Sequence, residues 1–407
     1  MFTRRVTSLS APSRRASRAL RLAAVPVVMV LAATSAADAS PPRAESARPA
    51  TTAASAAAPG LDTSVVMSGL DIPWDIAVLP SGAWLVTERE RLRISIRRTD
   101  GSTQVLASRP PGLFASGETG LMSIVADPDV ASNSRFYTCA GYRAGGTQDI
   151  RVHAWRLNAA RTDASIVDTL LSGIQVTTGR HGGCRLRFDR SGRLYVGTGD
   201  SAVGTNPQNL RSLNGKVLRL DRFSGRPSSD NPFAGSPYPN KRYILTYGHR
   251  NVQGLALRWQ GAMWSVEHGT YRDDEVNRLE PGGNYGWNPV PGYNESKPMT
   301  DFSLPGRQLG ARWSSGDPTI ATSGAVWVRG SEWGAYRGTL AVCALGGERL
   351  VFMKFDKSGT LLDVSTPPEL RGTFGRLRSV VQTADNDLLV TTANGDGTDE
   401  IVRVSPR

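Results

Sequence analysis

The sequence predicts an all-β protein, and within that class a six-bladed β-propeller with four-stranded antiparallel blades. One pattern recurs six times: an apolar strand, a turn rich in Asp, Pro or Gly, and a second apolar strand. No long segment with the 3.6-residue apolar period of a helix separates the copies. The 43 glycines and 25 prolines among 407 residues suit a fold with many turns.

The spacing of the copies supports the propeller. The six copies span residues 60–407, so each copy has roughly 58 residues, a length that can form a four-stranded blade. One copy cannot bury its own apolar face, so we expect the six to pack around a common axis. A β-sandwich with similar turns is the alternative, and six copies over the whole chain favour the propeller. The copies are Ile76–Thr87, Leu121–Cys139, Leu186–Thr198, Leu255–Val266, Ala325–Cys343 and Leu377–Thr392.

The N-terminal residues 1–39 are predicted to be a signal peptide. A basic stretch ending at Arg21 precedes an apolar run, Leu22 to Ala33, and Ala37-Asp38-Ala39 offers a cleavage site. The run is short for a transmembrane helix, so we expect a secreted, extracytoplasmic protein without an integral membrane segment after cleavage. Residues 40–58, rich in Ala, Pro, Ser and Thr, are predicted to be a disordered linker, and residues 59–407 the catalytic propeller.

The charge of the chain excludes one class of partner. The formal net charge is +12, of which residues 1–40 contribute +5, and the remaining +7 is modest for a chain of this length. No stripe of Lys and Arg alternates with aromatic residues, so we expect no nucleic-acid binding.

Three cysteines remain beyond the predicted signal peptide, and an exported chain can keep a disulfide. Cys139 and Cys184 lie in neighbouring copies of the repeat, so we predict that they pair and that Cys343 is a buried thiol. Three buried free thiols are the alternative.

Three loops break the repeat and are dense in groups that transfer protons, pair with anions or ligate hard cations. They are residues 179–183, 247–254 and 267–287. Because propellers carry functional groups in the loops around the axial channel, we expect the site there.

These loops and several shorter motifs resemble the soluble dehydrogenases that use pyrroloquinoline quinone (PQQ), the glucose/sorbosone dehydrogenase family. The resemblance covers nearly the whole mature chain. It implies a six-bladed propeller with PQQ on the axial face, and oxidation of aldose sugars at C1 by hydride transfer to the quinone. The motifs are, in order, Pro73-Trp74, Gly117–Leu121, Gly179–Gly183, Gly199-Asp200, Asn214–Lys216, Tyr247–Gly254, Glu267–Trp287 and Arg376–Arg378.

The resemblance also assigns the catalytic residues. His181 matches the general base, Asp200 the carboxylate that orients it, and Arg250 a cation beside the accepting carbonyl. An imidazole suits a base at neutral pH, and a guanidinium stabilises developing negative charge. The alternative for His181 is a histidine that satisfies a loop carbonyl, and the alternative for Asp200 is a solvated aspartate in a turn.

The contacts to PQQ follow from the same resemblance. Paired arginines suit this cofactor because it carries three carboxylates. Two departures stand out: Gly346-Gly347 replaces a cofactor-binding lysine of some members, and Thr270 replaces a proline. The implied contacts are Glu118, Arg250, Asn251, Gln253, Gly269, Thr270, Thr319, Arg376 and Arg378.

Calcium is the second implied cofactor. The backbone carbonyls of Gly269 and Thr270 match those that hold the ion beside PQQ. Asp274, Glu275 and the Tyr285 backbone match a second, structural ion, and a merely acidic turn is the alternative. Calcium binds six to eight oxygens, carboxylates and carbonyls included.

Two other functions stay open: a lactonase-type propeller hydrolase and a non-catalytic glycan-binding propeller. His181 with Arg250, Arg376 and Arg378 favours the dehydrogenase, because a lactonase does not need three cations around a planar anion. The sequence contains no C-x-x-C-H haem motif, so we expect electrons to leave to a separate acceptor.

Overall fold

Six four-stranded antiparallel sheets form the blades of a β-propeller, as predicted. The computed structural model describes residues 57–407. The predicted signal peptide (1–39) and all but the last two residues of the predicted linker (40–58) lie outside the described residues. Within residues 57–407, no helix is long and apolar enough to cross a membrane.

The blades follow one another along the chain, and four short helical segments lie between strands. The strands are, blade by blade, β2 (Pro73–Val78), β3 (Trp84–Glu88), β4 (Arg93–Arg97) and β5 (Thr103–Ser108); β6 (Leu121–Ala126), β7 (Arg135–Ala144), β8 (Thr147–Leu157) and β9 (Ala164–Gln175); β10 (Arg185–Phe188), β11 (Arg193–Gly197), β12 (Lys216–Asp221) and β13 (Ile244–Tyr247); β14 (Val252–Leu257), β15 (Met263–Glu267), β16 (Glu275–Arg278) and β17 (Trp313–Ser314); β18 (Thr322–Trp327), β19 (Leu340–Ala344), β20 (Arg349–Phe355) and β21 (Leu361–Ser365); and β22 (Leu377–Gln382), β23 (Leu388–Thr392), β24 (Asp399–Pro406) and β1 (Leu61–Leu70). The helical segments are α1 (Val130–Asn133) and three 3-10 turns, Asn240–Tyr243, Ser331–Tyr336 and Pro368–Leu370.

The six repeats predicted from the sequence are the first two strands of each blade. These strands lie nearest the axis and are buried on both faces, so their apolar residues run almost without interruption, as in β3, where all five residues are buried. The outer strands face solvent on one side, and β21 has no fully buried residue.

The ring is closed by the two ends of the propeller. β1 pairs antiparallel with β24, with Leu61 opposite Pro406, so the first strand completes the last blade. The pairing removes two open sheet edges, which would otherwise be free to pair with another chain.

A buried polar network crosses the axial channel. The Asp75 carboxylate lies 2.7 Å from the Arg185 guanidinium and 3.2 Å from that of Arg187, and accepts hydrogen bonds from Ser123 (2.6 Å) and Ser379 (2.8 Å). Burial alone would raise the pKa of Asp75, but the charges of the two arginines lower it to about 2. Because Arg185 also bonds Ser379 of the opposite blade, the network spans the channel.

Cys139 and Cys184 form the predicted disulfide, which joins β7 to the residue before β10. Cys343 is a buried free thiol, as predicted. The bridge therefore ties the second blade to the third, beside the His181 loop.

Candidate active site

The predicted site residues gather at one end of the propeller. His181 and Arg250 precede the first strands of the third and fourth blades, Glu118 precedes that of the second, and Asp200 follows the second strand of the third. In an antiparallel hairpin the first strand begins where the second ends, so these loops meet on one face of the ring.

Backbone contacts hold three of these loops together. The Asp200 amide donates to the Arg250 carbonyl at 2.8 Å, and the Ser201 amide donates to the His181 carbonyl at 3.3 Å. A Cβ atom at Gly199 would lie 1.9 Å from the His181 carbonyl oxygen, so only glycine fits there. The catalytic candidates are thus positioned by the main chain.

The His181 and Asp200 side chains form a buried pair. His181 Nδ1 lies 2.8 Å from Asp200 Oδ1. The carboxylate is an acceptor, so Nδ1 carries the hydrogen, and in the neutral ring Nε2 is left with a lone pair. Among residues 57–407, no hydrogen-bond partner reaches His181 Nε2. The arrangement can accept a proton at that atom.

Two aromatic residues complete the Asp200 environment. The Trp287 indole donates to Asp200 Oδ2 at 2.8 Å, and the Tyr293 hydroxyl donates to the same oxygen at 2.7 Å. Tyr293 Oη also lies 3.0 Å from His181 Nδ1. Burial and the charge of Asp200 raise the pKa of Tyr293, so its hydroxyl keeps the proton that it donates. Sequence reasoning missed Tyr293, because it lies in the long connection between β16 and β17, where no motif marks it.

A chain of hydrogen bonds links this pair to the axis. Glu118 Oε2 accepts from the His181 amide and from Asn251 Nδ2, both at 3.2 Å. Asn251 Oδ1 accepts from Gln253 Nε2 at 3.3 Å, and Gln253 Oε1 accepts from Arg378 Nη1 at 3.0 Å. All five predicted residues therefore lie in one network.

Arg250 is held at the edge of this network. Its Nη1 donates to the His268 carbonyl at 3.0 Å and its Nη2 to Glu295 Oε1 at 2.6 Å. Glu295, which sequence reasoning also missed, lies 2.6 Å from Arg180 as well. Burial would raise the pKa of Glu295, but the hydrogen bond and charge of Arg250 and the charge of Arg180 lower it. Burial lowers the pKa of the neighbouring His268 to about 4, so that ring is neutral at pH 7.

The predicted arginine pair is split between interior and surface. Arg378 is buried, and burial, followed by the charge of Arg89, lowers its pKa to about 9. Arg376 is exposed, and its Nε donates to the Ala393 carbonyl at 3.2 Å. The buried Nε atoms of Arg89, Arg250 and Arg378 have no hydrogen-bond partner within the described part of the chain. Arg89 is a further cation at the site, and no sequence motif indicated it.

The loop after β15 is organised by the Asp274 carboxylate. It accepts hydrogen bonds from the Gly269 amide (2.9 Å), the Thr319 hydroxyl (2.9 Å) and the Ile320 amide (2.7 Å). Asp274 thereby fixes the Gly269-Thr270 segment, whose carbonyls are the predicted calcium ligands. The hydroxyl of Thr319, a predicted PQQ contact, is engaged with Asp274.

Glu275, the first residue of β16, is surrounded differently. Glu275 pairs with Glu267 in the β15–β16 ladder, whereas Asp274 belongs to the loop before β16. Burial and the charge of Glu267 raise the pKa of Glu275 to about 8. Asn277 Nδ2 donates to both carboxylates, at 3.0 Å to Glu267 and 3.2 Å to Glu275. Asn277 Oδ1 is buried without a partner in residues 57–407.

Tyr285 lies next to this carboxylate pair. Its ring stacks on His249 with 4.7 Å between centroids, and His249 Nδ1 lies 2.5 Å from Glu267 Oε1. No group of three or more His, Cys, Asp and Glu side chains suited to a metal was found in residues 57–407. A calcium site here would therefore depend on backbone and amide oxygens together with one or two carboxylates.

Comparison with known proteins identifies the family. The family model described as Glucose / Sorbosone dehydrogenase matches residues 70–403. The chain belongs to this family.

Relatives and solved structures agree with that assignment. An uncharacterised Synechocystis protein is 30% identical over 370 residues, covering 83% of this chain and 85% of the relative. Aldose sugar dehydrogenase YliI of Escherichia coli K12 is 28% identical over 356 residues, covering 85% and 93%. The PQQ-bound aldose sugar dehydrogenase from Streptomyces coelicolor superposes with a TM-score of 0.72 at 29% identity, over 86% of this chain and 100% of that one.

Proposed function

We propose that this member of the glucose/sorbosone dehydrogenase family is a PQQ- and calcium-dependent aldose dehydrogenase that oxidises the sugar at C1. The observation that carries the proposal is the buried His181–Asp200 pair beside buried arginines. Within residues 57–407, neither His181 Nε2 nor the Nε atoms of these arginines have a hydrogen-bond partner. Family membership and the PQQ-bound relative support a quinone-dependent sugar dehydrogenase in general terms.

His181 is the proposed general base. Oxidation at C1 requires loss of the hydroxyl proton as hydride leaves the carbon, and Nε2 takes that proton while Asp200 stabilises the imidazolium formed. Tyr293 and Trp287 hold the Asp200 carboxylate so that it presents one oxygen to Nδ1. Orientation of the base is therefore built into the fold.

The buried cations fit a planar anion such as PQQ. Arg378 lies among buried groups with no carboxylate within ion-pair distance in residues 57–407, and an unpaired buried charge is costly. PQQ, when bound, supplies the acceptor for the hydride. The residues that would hold it are Arg250 and Arg378, with Arg89 and Arg376 at the edge and Glu118, Asn251, Gln253, Gly269, Thr270 and Thr319 around them.

The surroundings of Glu275 fit a calcium ion. A buried carboxyl whose pKa is about 8, a second carboxylate and an amide oxygen with no hydrogen-bond partner in residues 57–407 are the kinds of ligand that calcium binds. We place the structural ion at Glu275, Tyr285 and Asn277, and the cofactor ion at the Gly269 and Thr270 carbonyls. Asp274 positions the latter loop in this proposal.

Export and a separate electron acceptor belong to the same proposal. The Cys139–Cys184 disulfide supports an oxidising compartment, where such bonds persist.

Reconstitution tests the function. Purified protein freed of ligands is mixed with PQQ and calcium, and aldose-dependent reduction of an artificial dye is followed, with lactone hydrolysis measured in parallel. We expect dye reduction only when PQQ is present and no hydrolysis. Lactone hydrolysis without PQQ, with no dye reduction in its presence, would instead establish the hydrolase.

A further inference from the structure

A cationic groove lies at the end of the propeller opposite the candidate active site. It has a volume of about 640 Å³ and is formed by the β14–β15 turn, the β18–β19 connection and the end of β20. The β14–β15 turn and the β18–β19 connection follow the first strands of their blades, whereas the His181 and Arg250 loops precede first strands. The groove therefore lies at the opposite ends of the inner strands. The proposed dehydrogenase chemistry therefore does not use this groove.

Its lining is rich in positive charge. The groove is lined by Arg258, Arg329, Arg337, Lys354 and Lys357. An adjoining cavity of about 310 Å³ adds Arg190 and also Arg187, which is paired with Asp75. In the described residues 57–407, none of these cations apart from Arg187 has a carboxylate within 4.0 Å.

The groove's acidic lining residue, Asp356, is already engaged. Its Oδ1 accepts hydrogen bonds from the Ser358 hydroxyl (2.7 Å) and the Thr360 amide (2.8 Å), which close a turn. Because both donors are neutral, Asp356 keeps its negative charge, and the five cations of the lining leave a net charge of +4.

A rigid base supports these cations. Arg258 is buried and donates to the Asp356 carbonyl at 2.6 Å and the Phe355 carbonyl at 2.7 Å. Its guanidinium lies over the rings of Trp259 (5.0 Å) and Trp327 (4.6 Å). The Arg258 Nε and the buried indole N–H of Trp327 both lack a hydrogen-bond partner in the part of the chain that is described. Arg258 is thus fixed at the groove by two main-chain hydrogen bonds and by contacts with two indole rings.

Trp259 adds an exposed aromatic surface, with 43% of the residue accessible. The apolar face of a sugar ring packs on such a ring, while carboxylates pair with the surrounding arginines and lysines. A bare chain of phosphates would use the cations and leave the indole without a role.

We propose that this groove binds an acidic polysaccharide, a polymer of uronate-type sugars. The polymer would anchor the protein by the face opposite its candidate active site and leave that site open to small sugars. The inference does not rest on the proposed function, because none of the groove residues belongs to the candidate active site.

Binding of polygalacturonate to the full mature chain tests the proposal. The double variant Arg337→Glu with Lys357→Glu is expected to weaken binding about tenfold or more, since charge-assisted contacts are lost at two positions. Arg143→Glu with Arg226→Glu changes the net charge equally at exposed sites in other blades and is expected to bind like the unaltered protein. Binding should also fall as salt rises.

A second comparison separates sugar recognition from charge alone. Trp259→Ala should weaken binding to polygalacturonate several-fold, with sugar oxidation and the melting temperature unchanged. Inorganic polyphosphate at the same charge concentration should bind more weakly than polygalacturonate and be insensitive to Trp259→Ala. Equal loss of binding in the two double variants, or tighter binding of polyphosphate than of polygalacturonate, would overturn the proposal.

Discussion

The two sides of the candidate active site differ in how completely their polar groups are satisfied. Around His181, both Asp200 oxygens and the donors of Tyr293 and Trp287 are paired. On the other side, the buried Nε of Arg378 has no hydrogen-bond partner in residues 57–407, and the buried Glu275 lies beside the Glu267 carboxylate. The first side is organised by contacts within residues 57–407, and the second leaves buried charged groups unsatisfied there.

This difference separates catalysis from binding. A preorganised base needs no rearrangement when substrate arrives, so its loss should affect turnover. Unpaired buried charges destabilise the free protein, so ligands that pair them should bind tightly and raise its stability. Substitutions on the two sides are accordingly expected to change different measurements.

The largest effect on turnover is expected from His181→Ala, on the side of the site that holds the proposed base. A positioned base contributes about 10²–10⁴-fold, so turnover should fall by that order at saturating PQQ and calcium. Steady-state dye reduction with an aldose measures it. Asp200→Asn should cost less, because it disturbs the orientation of the base without removing it. A greater loss in Asp200→Asn than in His181→Ala would contradict these roles.

On the binding side, Arg378→Met should weaken PQQ affinity by about 10- to 100-fold, the range for a lost charge-assisted contact. Turnover at saturating PQQ should stay near that of the unaltered enzyme. Fluorescence titration with PQQ provides the affinity. Arg307→Met, at an arginine whose side chain is 79% exposed, is the control and should leave affinity unchanged. An unchanged affinity in Arg378→Met would remove this residue from the cofactor site.

Calcium should stabilise the fold in a pH-dependent way. Burial raises the pKa of Glu275 from 4.5 to about 8, so without metal its favourable contribution is complete below pH 4.5 and is lost as pH rises through 8. Thermal unfolding should show calcium raising the melting temperature more at pH 8.5 than at pH 5. In Glu275→Gln both this trend and the response to a chelator should diminish. An equal response in Glu275→Gln would place the ion elsewhere.

The smallest effect is expected from Tyr293→Phe, which removes one of the donors to Asp200. Turnover should fall by about two- to tenfold, the range for one hydrogen bond, with PQQ affinity unchanged. Tyr238→Phe, at an exposed tyrosine, is the matched control. A loss of PQQ affinity rather than turnover would move Tyr293 to the binding side.

The blade pattern could be predicted from the sequence because the inner two strands are buried on both faces. Their apolar runs mark six hairpins, and counting them predicts the number of blades. Closure of the ring could not be predicted in this way. β1 and β24 pair although they lie near opposite ends of the described sequence. β1 has only two fully buried residues, one at each end, so no apolar pattern marks it as a strand of the last blade.

The site residues that lie in short motifs could be predicted from the sequence, and those that lie in a long connection could not. His181, Asp200 and Asn251 lie in Gly-rich loops that the family resemblance marks. Tyr293 and Glu295 reach the same site from the connection before β17, where chain position gives no signal.

The acidic pair after β15 shows a second limit of sequence reasoning. Asp274 and Glu275 are neighbours in sequence and were assigned to one calcium site. Asp274 ends the loop before β16 and accepts from the Gly269 amide, whereas Glu275 begins the strand and lies opposite Glu267. Their roles as metal ligands stay predictions.

The most direct test of the division between the two sides is PQQ binding to His181→Ala, measured beside Arg378→Met in the presence of calcium. The account predicts that His181→Ala binds PQQ with the affinity of the unaltered protein while its turnover is nearly abolished, and that Arg378→Met shows the reverse pattern. If His181→Ala loses PQQ affinity as strongly as Arg378→Met, or keeps full turnover, the separation of base and cofactor site is wrong.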